Sequence, residues 1–263
     1  MKTLIRIVTA GFAALVFLTQ AGIAVQAAEV KVLSANAMKE VLDDLGPKFE
    51  RASGHKLAIS VAAGVRVAVL RVQGGETVDV VIIAREGIDG FVKDGKAVAA
   101  NVTVLARSGI GVAVRKGAPK PDISSPEALK RTLLAAKSIT YGNPDPVIGG
   151  ASGIHFAKVL DRLGIANEMK PKTVFSPGGA GAGLGMFVAN GGAEIGVHQF
   201  HELIPVAGIE LVGPLPGDLQ NTLVFAAAIM AGGRDAAASK ALVDFLRTPE
   251  SAKVIMAKGM EPG

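Results

Sequence analysis

The stretch SVAAGVRVAVLRVQGGETVDVVIIA, Ser60–Ala84, decides the architecture of the chain. It leaves the end of a strand, runs through an apolar helix from Val65 to Val72, and breaks at Gly74-Gly75. It closes on VDVVIIA, Val78–Ala84, a β-branched and mostly apolar run. Such a run marks a strand buried on both faces. Strand, helix and strand in that order make a parallel unit covered by helices. Upstream, Val30–Ser34 reads as a strand, and Met38, Val41, Leu42, Leu45 and Phe49 recur at helical spacing within residues 37–51. Gly54 stops that helix, and Lys56–Ala62 alternates as a second strand. Downstream, a helix is predicted from about Gly87 to Lys93.

The alternation restarts further on. Ile110–Arg115 is a strand, KGAPKP is a turn-rich break, and Ser124-Ser125-Pro126-Glu127 starts a helix with a serine cap and proline at the first position. Strands are then expected at Lys137–Tyr141, Lys172–Phe175, Glu194–His198 and Leu223–Met230. Helices are expected at Ser152–Leu163, Leu184–Ala189, Ala236–Leu246 and Pro249–Lys258. Two α/β units in succession imply a cleft between them. In open α/β sheets, ligands sit at the carboxyl ends of strands, where loops lead into helices.

Composition excludes several function classes. The chain has no cysteine, which removes disulfide scaffolds, thiolate-held zinc, iron–sulfur clusters and thiol catalysis. Aromatics are 4% and the formal charge is +5, without a basic block, so a nucleic-acid platform is not expected. No cofactor is expected. Residues 1–27 read as a signal peptide: Lys2 and Arg6 precede the largely apolar Ile7–Val25, and small residues end it at Ala27. Cleavage after Ala27 or Ala28 removes two positive charges, leaving +5 − 2 = +3 on a protein expected in the periplasm with no membrane insertion of its own.

Four loops are candidates for holding a ligand. Ser34 and Asn36 precede a helix whose first amides attract anions. Gly64 allows close backbone approach, and Arg66 can grip a carboxylate with two parallel hydrogen bonds. The run Gly149–Gly153 opens a helix as an anion nest, with Ser152 able to donate from hydroxyl and backbone. No Gly-Lys-Ser/Thr follows it, so a nucleotide phosphate is not expected. The glycine run of residues 178–183 is a ligand loop or a hinge. Beyond it, HQFHE (His198–Glu202) offers His198 and Gln199 to a ligand. His198 and His201 three apart, with no third ligand motif, do not make a metal site.

Taken in order, VLSANAM (Val32–Met38), Ser60–Ala84, GIGVAVRKGAP (Gly109–Pro119), GNPDPVIGGASGIHFAKVLDRLGI (Gly142–Ile165) and GGAEIGVHQFHEL (Gly191–Leu203) resemble the periplasmic molybdate-binding-protein family of ABC importers. The resemblance spans the mature chain. It implies an α/β, two-lobed periplasmic binding protein fold of type II. Each lobe would be a mostly parallel sheet flanked by helices, with two crossovers between lobes. Lobe I would comprise 28–107 plus 222–263 and lobe II 108–221, with Ile110–Arg115 pairing Leu223–Met230 near the hinge. It also implies a small anionic ligand, an ABC permease as receiving partner, and a monomer.

Carried over position by position, the resemblance puts two oxyanion-binding serines at Ala37 and Val65, and a site-closing tyrosine at Gln199. Ser152, Gly153 and Gly181 would supply the second lobe's donors. The neutral hydroxyls are thus replaced, while Asn36, Arg66 and His198 stand beside the site. That pattern fits an organic polycarboxylate at least as well as a molybdate-like oxyanion. The family's divergent branch also includes aconitate isomerase. The alternative is therefore a cofactor-free isomerase of an unsaturated tricarboxylate, with His198 as the base that moves the allylic proton.

Overall fold

A computed structural model describes residues 27–145, 150–177 and 182–263. All of the expected signal segment except Ala27 lies outside the described residues, as do Gly149 and Gly181. In chain order the elements are β1 (Glu29–Ala35), α1 (Lys39–Ser53), β2 (Lys56–Ala62), α2 (Val65–Gln73), β3 (Val80–Ala84), α3 (Arg85–Lys93) and β4 (Ala97–Arg115). Then come α4 (Pro126–Ala135), β5 (Ile139–Tyr141), α5 (Ala151–Arg162), α6 (Ala166–Met169), α7 (Ala182–Ala189), β6 (Ile195–Gln199), α8 (Phe200–Leu203) and β7 (Ile209–Pro214). The chain closes with β8 (Thr222–Met230), α9 (Ala236–Leu246), α10 (Pro249–Ala257) and β9 (Glu261–Pro262). The fold is mixed α/β.

The strands follow the order β2-β1-β3-β8-β4-β6-β5, with β7 and β9 also paired to β4. β1 is parallel to β2 and to β3, and β5 to β6. β8 runs antiparallel to β3 and β4, and β4 antiparallel to β6 and β7. The expectation of mostly parallel sheets is therefore corrected to mixed ones. Parallel neighbours need a crossover helix between them, which α1 and α2 supply for β1–β3. β4 and β8 enter the sheet without that arrangement and lie against their neighbours.

The long β4 changes partners along its length. Ala97–Gly109 pairs with β8, down to Gly109 opposite Thr222. From Ile110, opposite Gln199, it pairs with β6 and β7. The expected pairing of Ile110–Arg115 with Leu223–Met230 is thus overturned: the stretch before Gly109 does that work. At the change of partner, the Gln220 amide substitutes for a strand. Its Oε1 accepts from the Ile110 N–H and its Nε2 donates to the Ile110 carbonyl, both at 2.9 Å. Buried apolar residues also fall into groups on either side of this point. One holds Val32, Leu42, Ile82, Phe91 and Phe225, and another Ile110, Leu129, Phe156 and Val197.

The strand expected at Lys172–Phe175 does not form. Lys170–Lys172 is a 3-10 turn containing Pro171, and only Thr173 bridges to Ile139. Elsewhere caps behave as read: the Ser125 hydroxyl accepts from the Ala128 N–H with Pro126 at the first turn. Gly54 ends α1 at φ 76°, a left-handed conformation that glycine adopts without a Cβ penalty.

Candidate functional site around His198

β6 is buried along its whole length and ends at Gln199, whose extended backbone lets Phe200 begin the one-turn α8. Gly111 of β4, opposite His198, leaves room for this turn: a Cβ there would stand 2.7 Å from the Phe200 ring. The strand-to-helix turn brings residues 198 and 202 together. His198 Nδ1 lies against Glu202 Oε2, and the two side chains are 4% and 20% exposed. On the other side of the ring, His198 Nε2 is 3.4 Å from Ser152 Oγ. Ser152 sits in the first turn of α5 and is itself buried. A carboxylate, an imidazole and a hydroxyl therefore form a continuous buried chain ending at a helix N-terminus.

His201 forms a second branch. Its Nδ1 is 2.8 Å from Ser108 Oγ on β4, and its ring meets the edge of Phe225 on β8. Its Nε2 is buried without a hydrogen bond among the described residues, 3.8 Å from Glu202 Oε1. Burial holds the His201 pKa below its ordinary value, against the raising influence of Glu202 and Glu40. For Glu202, burial pushes upward, but the hydrogen bond and positive charge of His198, with His201, win and lower its pKa. The cluster is thus a half-buried carboxylate, its pKa held down, beside two buried imidazoles.

The remaining candidates divide. Gln199 is buried, and its side-chain amide has no partner among the described residues. Gly153 is explained by packing: a Cβ would come within 2.2 Å of the Gly142 carbonyl oxygen, so α5 and the loop after β5 touch through backbone. Ser34 is fully buried and its hydroxyl donates to the Ala35 carbonyl at 3.0 Å, facing the chain itself. Asn36 is exposed. Ala37 and Val65 are half-buried against the first group of core residues. Gly64 precedes α2 in extended backbone. Arg66 is exposed and makes no hydrogen bond or ion pair among the described residues. No hydrogen bond among the described residues joins Ser34, Asn36 or Arg66 to Ser152 or His198. A surface hollow of about 430 Å³ is lined by Lys31, Ser60, Glu76 and Thr77, and none of the residues of these loops lines it.

Glu202 acquires its role beside His198 only in the folded chain. Its signal was the four-residue spacing within HQFHE, which becomes a contact only when the strand ends at Gln199. Among the described residues, no group of three or more His, Cys, Asp or Glu is placed to hold a metal ion, and no helix is long and apolar enough to cross a membrane.

Comparison with known proteins places the chain. The family model described as bacterial extracellular solute-binding protein matches residues 30–261. An aconitate isomerase from a Pseudomonas species is 31% identical over 236 residues, 88% of this chain and 87% of that protein. The molybdate-binding protein ModA of Azotobacter vinelandii is 30% identical over 243 residues, 90% of this chain and 91% of that protein. In fold, the tungstate-binding protein of Desulfovibrio alaskensis superposes with a TM-score of 0.66 at 16% identity, covering 90% of this chain and 99% of that one. The Azotobacter vinelandii periplasmic molybdate-binding protein does so with a TM-score of 0.64 at 20% identity, covering 88% and 98%. The chain belongs to the bacterial extracellular solute-binding proteins, in the group that contains the molybdate-binding proteins.

Proposed function

We propose that this protein is a periplasmic receptor that captures a small organic polycarboxylate between two lobes and passes it to an ABC permease. Lobe I is 28–107 plus 222–263 and lobe II is 108–221, joined by crossovers at Gly109–Ile110 and at Gln220–Thr222. The change of partner along β4 supports that division. The signal peptide, cleaved after Ala27 or Ala28, delivers the chain as a monomer to the periplasm.

The observation that carries the ligand class is the Ser152–His198–Glu202 chain. A tetrahedral oxyanion held by neutral dipoles needs no imidazole. A carboxylate gains from one through the Ser152 hydroxyl, which a protonated imidazole polarises and turns toward the ligand. Ser152 and the first amides of α5 receive one carboxylate. Arg66, exposed at the start of α2 and without a hydrogen bond or ion pair among the described residues, would grip another as the lobes close. Ala37 and Val65 give the site an apolar wall, and Gln199 supplies a neutral amide. Ser34 supports β1 from within. Calorimetry with tri- and dicarboxylates, molybdate and sulfate tests this reading.

A second reading is favoured by the same geometry and by the 31% identical relative named an aconitate isomerase. An imidazole backed by a carboxylate is the arrangement of a general base whose tautomer is fixed. His198 would take a proton from the allylic carbon of an unsaturated tricarboxylate and return it at the other end of the allylic system, moving the double bond. Incubation with cis- or trans-aconitate, followed by ultraviolet or chromatographic readout, separates the two. Turnover establishes the enzyme, and binding without turnover establishes the receptor.

A further inference from the structure

We infer that ligand capture is proton-coupled: an anion bound at Ser152 draws one proton from solvent onto His198, with Glu202 as its fixed counter-charge. This rests on the reading of Ser152 as a ligand contact.

Donor and acceptor counts fix where the protons of this chain sit. An ionised carboxylate only accepts, so Glu202 against Nδ1 keeps the proton on that nitrogen. In neutral His198, Nε2 then carries a lone pair and accepts the Ser152 O–H across 3.4 Å. Ser152 is left presenting lone pairs to the start of α5, the wrong face for an anion. When His198 is protonated, Nε2–H donates to Ser152 Oγ, and the hydroxyl turns its own hydrogen toward the ligand. The anion thus favours the protonated state twice, through the serine donor and through charge. By linkage, the proton favours the anion equally.

The surroundings single out His198 for this. From α8 it meets Glu202 and, nearby, His201, which burial keeps below its ordinary pKa. Glu40 on α1 acts on His201. From α5 it meets Ser152, and from β4 the backbone of Gly111. Tyr141 of β5 is turned between Phe156 and Phe175. α7 carries no charged residue. Among the described residues, His198 has the carboxylate on one nitrogen and the candidate ligand hydroxyl on the other.

The test is calorimetry of the purified protein with trans-aconitate and with molybdate, from pH 6 to 9, in phosphate and Tris, whose ionisation enthalpies differ. The carboxylates of the probe are fully ionised above about pH 6, so they contribute no protons. Wild type is expected to take up as much as one proton per ligand, with Kd rising up to about tenfold per pH unit on the alkaline side. His198→Gln should lose the proton uptake and the pH dependence together. Glu202→Gln should move the onset of both to lower pH. Binding by wild type with buffer-independent enthalpy and a flat Kd overturns the inference while leaving the receptor reading intact. If neither probe nor any other carboxylate binds, the receptor reading fails. The relay is then judged alone by nitrogen-15 spectra of labelled histidine. A neutral His198 protonated on Nδ1 supports it, and one protonated on Nε2 overturns it.

Discussion

His198 Nδ1 lies against Glu202 Oε2, four residues further on, with the strand β6 ending between them and both side chains largely removed from water. A buried carboxylate is tolerated only with a partner, and here the partner is an imidazole.

Glu202→Ala removes that partner and leaves two buried imidazoles without a carboxylate. Breaking a buried pair from one side costs about 3 kcal/mol. Urea unfolding should report a loss of that order. A loss within 0.5 kcal/mol, the range of an ordinary surface substitution, would show that the contact carries no stability.

Stability should fall with acid in two stages. The folded pKa of His201 is lowered by burial, so its contribution is complete above about pH 6.5 and declines as the unfolded chain takes up the proton below it. The lowered pKa values of Glu202 and Asp79 add a second loss as pH drops below about 4.5. For Asp79 burial again opposes the shift, and N–H groups of Arg234 and Lys31 prevail. Urea midpoints from pH 8 to 4 read both stages. His201→Asn should flatten the first, where one proton accounts for at most about 1.4 kcal/mol per pH unit.

Gly153→Ala should destabilise by at least about 2 kcal/mol, because the new methyl group meets the Gly142 carbonyl oxygen at 2.2 Å and backbone on both sides must move. A thermal melt within a degree of wild type would contradict the close approach.

Gln220→Ala should cost about 1–2 kcal/mol, because it leaves the Ile110 N–H without its acceptor. The Ile110 carbonyl keeps the Leu215 N–H at 3.1 Å, which limits the loss. The same change should speed hydrogen exchange at Ile110. Unaltered exchange there would show that the Gln220 amide does not secure β4 at its change of partner.

Much of the fold was legible because local pattern and tertiary role coincide. Lys56–Ala62 and Ala236–Leu246 fall at their read boundaries. The first half of β4 was not legible. Residues 98–101 are exposed, Asn101 interrupts the pattern, and the pairing with β8 spans more than a hundred residues. Lys172–Phe175 carried β-branched residues but too few neighbours to pair with. At the site, Ser152 and His198 were read and do meet. Residue type could not show that Ser34 turns inward, that Gly153 serves packing, or that Arg66 stands exposed, because each depends on where the backbone of another element runs.

A carboxylate is the ligand proposed for the Ser152–His198 site. Isothermal calorimetry of the purified protein against trans-aconitate and molybdate, side by side at pH 7, tests it most directly. If Ala37 and Val65 stand where molybdate receptors present serine hydroxyls, as proposed, the missing donors would cost molybdate roughly 1–3 kcal/mol per unmade bond, about one to two decades of affinity each. The tricarboxylate is expected to bind more tightly than molybdate. Submicromolar binding of molybdate, with no response to any di- or tricarboxylate, would contradict it.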